Sequence, residues 1–254
     1  MPAESVLPQS AWPELGAEPF RFRCHAGASC FLSCCRQVEL RLFPYDVLRL
    51  KERLALSAAE FLEQHTRLGA GAHPFFPAVF LNMLADGDHA CPFLTAQGCS
   101  VYKDRPSACR TYPLERAVEK AADGSLRNRW FLTGHPYCKG HFEEHFCTVK
   151  QWEREQRLTE HNLFNDLWAE VDMLFAANPW QGEGQAGPLQ QLAFMVCYNI
   201  DAFHDYVHQH NLLAGFRLER DRRRRIEQDD SELLKFGFDW LLHVLGGHRT
   251  LLPR

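Results

Sequence analysis

The chain has 254 residues, 46% of them hydrophobic and 24% charged, with a net charge of −4. These values are ordinary for a globular protein and indicate neither a disordered nor a membrane chain; the slight acidity gives no electrostatic reason to expect nucleic acid or anionic lipid as a partner. No apolar run approaches the roughly 18 residues that span a bilayer, and Met1-Pro2-Ala3-Glu4 is not a basic region leading into an apolar stretch, so the sequence reads as a soluble, cytoplasmic protein with no membrane contact.

Taken in chain order, residues 1–19 are proline-rich and read as a lead-in. Val38–Phe43 alternates apolar and polar residues, as a short half-buried strand does. Pro44 opens a helix through Lys51, and Ser57-Ala58-Ala59-Glu60 has the form of a capping box that starts a second one. Gly69–Pro77 reads as a loop, with short strands at Phe80–Leu84 and Arg129–Leu132. Helical apolar spacing then runs through Thr148–Ala177, Pro188–Leu213 and Leu218–Leu245. Their expected buried faces are Leu163, Leu167, Val171 and Leu174 with Phe164 and Trp168; Phe194, Val196, Cys197, Ile200, Phe203 and Val207; and Leu233, Leu234, Phe236, Phe238, Trp240, Leu241 and Leu245. The expected fold class is mainly α, with a small irregular or β cysteine-rich metal-binding part over 20–147 and a C-terminal helical bundle over 148–254.

The ten cysteines are unevenly spread: all but Cys197 lie between Cys24 and Cys147. In a reducing compartment such density points to metal or redox chemistry rather than disulfides. The first group is Cys24, Cys30, Cys34 and Cys35, in a segment whose small residues Ala26, Gly27, Ala28 and Ser29 allow sulfurs to converge. Adjacent side chains tend to point apart, so Cys34 and Cys35 are expected to serve two neighbouring sites, or only one of them to be a ligand. The second group is Cys91, Cys99, Cys109 and Cys138. Pro92 and Gly98 imply a hairpin-like loop presenting Cys91 and Cys99. Thiolate is the ligand that both tetrahedral zinc and iron–sulfur clusters use. The high thiolate count and the vicinal pair favour an iron–sulfur cluster, with zinc as the alternative.

The segment Cys91-Pro92-Phe93-Leu94, Gly98-Cys99-Ser100-Val101-Tyr102, Arg105-Pro106, Cys109-Arg110-Thr111-Tyr112-Pro113, preceded by a group ending in Cys34-Cys35, resembles the YkgJ-type cysteine-cluster family of zinc- or iron-chelating domains. The resemblance runs from Phe22 to Pro113 and implies metal binding without specifying a reaction. The first group is more widely spaced than is usual there, and this looser spacing is similar to that of flagellin lysine N-methylase. That similarity implies a protein-modifying enzyme as one further reading, although no Gly-rich cofactor loop is visible in the chain.

Around the thiols, Arg105 and Arg110 are expected to offset cluster charge, Tyr102 and Tyr112 to pack around the site, and His25 and His141 to lie just outside the ligands. His141/His145 and His204/His208 would each share a face if helical. Arg220–Arg225, followed by Glu227, Asp229, Asp230 and Glu232, reads as a self-neutralising helix face. Cys197 reads as a core residue; Cys147 stays open. Two functions follow: a metal-cluster protein, or a zinc-stabilised module whose helices bind a protein, peptide or small-molecule partner.

Overall fold

The computed structural model describes residues 13–85, 87–120, 126–184 and 186–254. Among them the helices are, in chain order, α1 (Pro44–Leu54), α2 (Ala58–His65), α3 (Ser107–Thr111), α4 (Val149–Glu155), α5 (Leu158–Ala176), α6 (Pro188–Tyr198), α7 (Ile200–Gln209), α8 (Arg220–Gln228) and α9 (Asp230–Gly246). The protein is thus mainly helical, with strands confined to small sheets. No helix of the described residues is long and apolar enough to cross a membrane.

Helix starts follow local chemistry. Pro44 occupies the first turn of α1, where its missing N–H costs nothing, and Asp46 reaches back to the Phe43 N–H at 3.0 Å. Ser57 and Glu60 form the expected reciprocal box at the start of α2, with Ser57 N–H to Glu60 at 2.8 Å and Glu60 N–H to Ser57 Oγ at 3.2 Å.

Each long C-terminal helical stretch is in fact two helices. The first breaks at Gln156–Arg157, where Arg157 has φ 53°. The second breaks at Asn199, whose side chain accepts from the Ala202 N–H at 3.3 Å and so opens α7. The third breaks at Asp229, which accepts from the Ser231 and Glu232 N–H groups at 2.8 and 3.2 Å. A short polar side chain that can satisfy free N–H groups allows a new helix to start inside an apolar periodicity that never lapses.

The strands are also adjusted. The expected strand at Val38–Phe43 shortens to Arg41–Leu42, and that at Phe80–Leu84 moves to Ala78–Leu81; with Thr66–Gly69 these form one antiparallel sheet. Leu126–Leu132 pairs along its length with Leu114–Lys120, a strand absent from the sequence reading because its charges obscure the alternation. Of the expected lead-in, residues 1–12 lie outside the described residues, while Glu14–Leu15 pairs with Trp130 and Phe131.

Contacts divide the chain into two compact units, each assembled from separate segments. The first comprises Met1–Val38, Met83–Gly98 and Ser107–Glu160. Its core gathers Phe20, Phe22, Leu114, Trp130, Cys138, Cys147, Val149, Trp152 and Leu158. The second comprises Glu39–Asn82, Cys99–Pro106 and His161–Arg254. In it α9 packs on α1, α6, α7 and α8, and the buried side chains include Tyr45, Phe61, Phe164, Trp168, Phe175, Tyr198, Phe203, Phe236 and Phe238. On α5 the buried stripe is Phe164, Trp168, Val171 and Phe175, whereas Leu163 is 46% exposed. The helix is rotated by about one residue from the leucine-centred face, because rings bury more apolar area than leucines do. Tyr45 stacks on Phe164 at 4.0 Å between ring centroids.

Candidate metal centre

The segment from Cys24 to Cys35 winds through successive tight turns: Ala28 N–H to His25 O at 3.0 Å, Phe31 N–H to Ala28 O at 2.9 Å, Ser33 N–H to Cys30 O at 3.0 Å, and Cys35 N–H to Leu32 O at 3.1 Å. It ends in a 3₁₀ turn over Ser33–Cys35. The Cys91 segment is fastened beside it, with Cys91 N–H to Cys35 O at 2.8 Å, Gln37 N–H to His89 O at 3.1 Å, and Arg36 to Asp88 at 3.1 Å.

The third piece carries Cys138. Arg23 N–H bonds Gly140 O at 3.0 Å and Phe22 N–H bonds His145 O at 2.9 Å, which sets Cys138 against the first segment. Gly140 makes this approach possible, because a β-carbon there would meet the Phe22 ring at 2.7 Å and Arg23 O at 2.8 Å. The Lys139 N–H then donates directly to Cys30 Sγ at 3.1 Å.

The result is two thiol pairs within the first unit. The Cys34 and Cys35 thiols hydrogen-bond to one another, as do those of Cys30 and Cys138. The sequence argument that Cys34 and Cys35 point apart fails because consecutive residues on a 3₁₀ turn are about 120° apart, not opposed as on a strand. The contact with Cys35, added to by burial, pushes the Cys34 thiol well up, and burial raises Cys138. Tyr137 is pushed up to about 12 by burial and by its closeness to Cys34, Cys138, Cys35 and Cys30. Tyr137 stacks on His135 at 5.1 Å, and His135 on Tyr112 at 5.7 Å, so an aromatic wall borders the sulfurs. Burial lowers His135 and His141, leaving both imidazoles neutral. Cys34 and Cys138 are thus held as neutral thiols, and taking up a metal cation as thiolates must release their protons.

Among the described residues no three Cys, His, Asp or Glu side chains are set to enclose an ion as they stand. The chemistry of the donors nonetheless fits a thiophilic metal. The sulfurs are soft and grouped, all ten cysteines are thiols, the Tyr112 hydroxyl hydrogen-bonds with the Cys138 thiol, and the buried His141 Nε2 has no hydrogen-bond partner among the described residues. Both rings lie against Phe22, at 5.7 and 5.1 Å. A buried polar atom rarely stays without a partner, so His141 Nε2 is open to a ligand.

The other sequence candidates are placed as follows. Cys24 and Cys109 are exposed and Cys91 is half-buried in the first unit; Cys99 falls in the second, half-buried, at the end of the expected hairpin formed by Leu94–Thr95 and Gly98–Cys99. His25 accepts from the Gly27 N–H at 3.2 Å and lies 3.2 Å from Glu143. Arg110, buried, donates to Gln156 O at 2.8 Å. Arg105, in the second unit, lies 3.9 Å above the Tyr102 ring and donates to Tyr102 O at 2.7 Å. His141 and His145 do not share a helical face, since Gly140–Phe142 is a single 3₁₀ turn and His145 bonds Phe22 O at 3.0 Å. Cys147 is core, its thiol raised to about 11 chiefly by burial, and Cys197 is buried in the second unit. Tyr137, His135 and the Lys139 N–H were missed by sequence reasoning; the only signal was their closeness in sequence to Cys138.

Comparison with known proteins bears directly on this cluster. Residues 23–139 match the family model named CxxCxxCC, described as a "putative zinc- or iron-chelating domain". That segment is similar to the CxxCxxCC domain, the cysteine-cluster family that the sequence resembles. The matched span takes in Cys24 through Cys138 and leaves out the buried Cys147 and Cys197; Cys138, inside the span, also belongs to the first unit's core. No curated protein and no solved structure matches the chain.

In the second unit, the arginine run of α8 is neutralised locally: Arg222 pairs with Asp239 at 2.6 Å, Arg224 with Asp221 at 3.4 Å, and Arg225 with Glu232 at 3.5 Å, while Arg223 donates to Leu213 O at 2.7 Å.

Proposed function

We propose that the CxxCxxCC domain holds an iron–sulfur cluster through Cys30, Cys34, Cys35 and Cys138, with Cys24, Cys91, Cys99 and Cys109 as the remaining thiols of the set. The observation that supports this reading is that the Cys34–Cys35 and Cys30–Cys138 thiol pairs both lie close to Tyr137. A cluster of this class needs four thiolates. When bound, it supplies a redox couple or an anchoring Lewis acid.

The chain's own groups each have a part. The Lys139 N–H, already on Cys30 Sγ, stabilises that sulfur as thiolate. Tyr112 and Tyr137 border the sulfurs, of which Cys138 is buried and Cys34 exposed, so thiolates here are open to oxidation by air. Such chemistry is favoured in a reducing compartment, which supports a cytoplasmic location.

Zinc is the second reading, favoured by the number of grouped thiols, since four thiolates complete a tetrahedral structural site. The helical second unit would then serve as a module for binding a protein or peptide. Elemental and sulfide analysis with an absorption spectrum, on protein purified without oxygen, separates the two. Iron with sulfide and visible absorption that bleaches in air supports the cluster; a colourless protein with stoichiometric zinc supports the module; and neither metal contradicts both.

A further inference from the structure

We propose that His204 and His208 form a two-imidazole chelate for a divalent transition-metal ion, built without thiols on helix α7. The two residues are one helical turn apart and their ring centroids lie 4.5 Å from each other. An ion bound by imidazole nitrogens at about 2.0–2.1 Å needs those nitrogens roughly 3 Å apart, which small side-chain rotations from this arrangement reach. His204 is half-buried and His208 exposed, so an ion can approach from solvent.

The helix that carries them is held firmly. The face beside them buries Ile200, Phe203 and Val207. Its first turn is capped by Asn199, and Asp201 is fixed by the Ala58 N–H at 2.6 Å and by Lys51 at 2.8 Å. The histidines are therefore presented on a fixed backbone, and little ordering is left to be done on binding. The Asp201 carboxylate acts electrostatically on His204, so negative charge already stands beside the place where a cation would sit. Two imidazoles select ions of the copper, nickel and zinc class over magnesium and calcium, which prefer oxygen. The remaining coordination positions stay with water, giving a reversible site rather than a structural one. It draws on the second unit, whereas Cys30, Cys34, Cys35 and Cys138 belong to the first.

The test is calorimetric titration of the purified, metal-loaded protein with Ni²⁺ alone, so that the thiol sites are already filled. The wild-type chain should bind one equivalent and gain melting temperature on doing so. H204A and H208A should each weaken binding by about tenfold or more. The double change H208Q with Q209H keeps the histidine count and moves one ring off the shared face; it should behave like H208A. Because His208 and Gln209 are exposed, melting of H208A and of the register-shifted variant without nickel should be unchanged. Wild-type affinity in the register-shifted variant, or no nickel binding by the wild-type chain, would overturn the proposal.

Discussion

A β-carbon on Gly237 would stand 2.7 Å from Val196 Cγ1 and 2.9 Å from Phe203 Cε1. In an open helix, Gly→Ala gains about 1 kcal/mol of helix propensity; here the added methyl overpacks the contact of α9 with α6 and α7, and the cost is about 1–3 kcal/mol. Gly237→Ala is therefore expected to lower the urea midpoint, and a raised midpoint would show that this contact is looser than described. No sequence pattern marks the position, since only tertiary packing makes the glycine necessary. The same holds for Gly140, which lets the Cys138 segment close on Phe22. Residue type and spacing offered Cys30, Cys34 and Cys35 in one group of candidate ligands and Cys138 in another. Their pairing was not legible, because it depends on backbone hydrogen bonds joining segments far apart in sequence.

At the scale of elements, the apolar periodicity located the helical half correctly and missed its breaks. Asn199 and Asp229 end one helix and begin the next through side-chain hydrogen bonds that interrupt no hydrophobic pattern. Asp229→Ala should cost about 1 kcal/mol, measured as a lower unfolding midpoint; an unchanged midpoint would mean that α8 and α9 do not rely on this cap. Lys51 of α1 bonds Asp201 of α7 and Asp230 of α9 at 2.8 and 3.1 Å, tying three helices together. Burial alone would raise the Asp201 carboxyl, but the Ala58 N–H and Lys51 hold it below the usual carboxylate range. Its folded pKa is depressed, so its stabilising effect is present above the unfolded value of about 3.9 and is lost as pH falls through the folded one. Wild-type protein should accordingly lose stability below about pH 5 more steeply than Asp201→Asn. Parallel profiles for the two would contradict the ion-pair account.

For the whole molecule, the division of labour was only partly readable from the chain. Cysteine distribution set off residues 20–147 from the helical remainder, and the CxxCxxCC match falls over 23–139. Contacts, however, draw each compact unit from three separate segments. Threading of this kind is invisible to local patterns, which report what a stretch buries but not which distant stretch covers it. The thiols illustrate the point: Cys91 and Cys138 come beside the Cys24–Cys35 segment through backbone bonds spanning long sequence separations. Metal content per chain across a series of cysteine-to-serine variants, purified without oxygen, tests the account most directly. Replacing Cys30, Cys34, Cys35 or Cys138 should remove most of the bound metal, while Cys147→Ser and Cys197→Ser should keep a full complement in whatever fraction folds. Full metal content in the first four variants, or its loss from folded Cys147→Ser or Cys197→Ser protein, would contradict the assignment of the centre to the paired thiols.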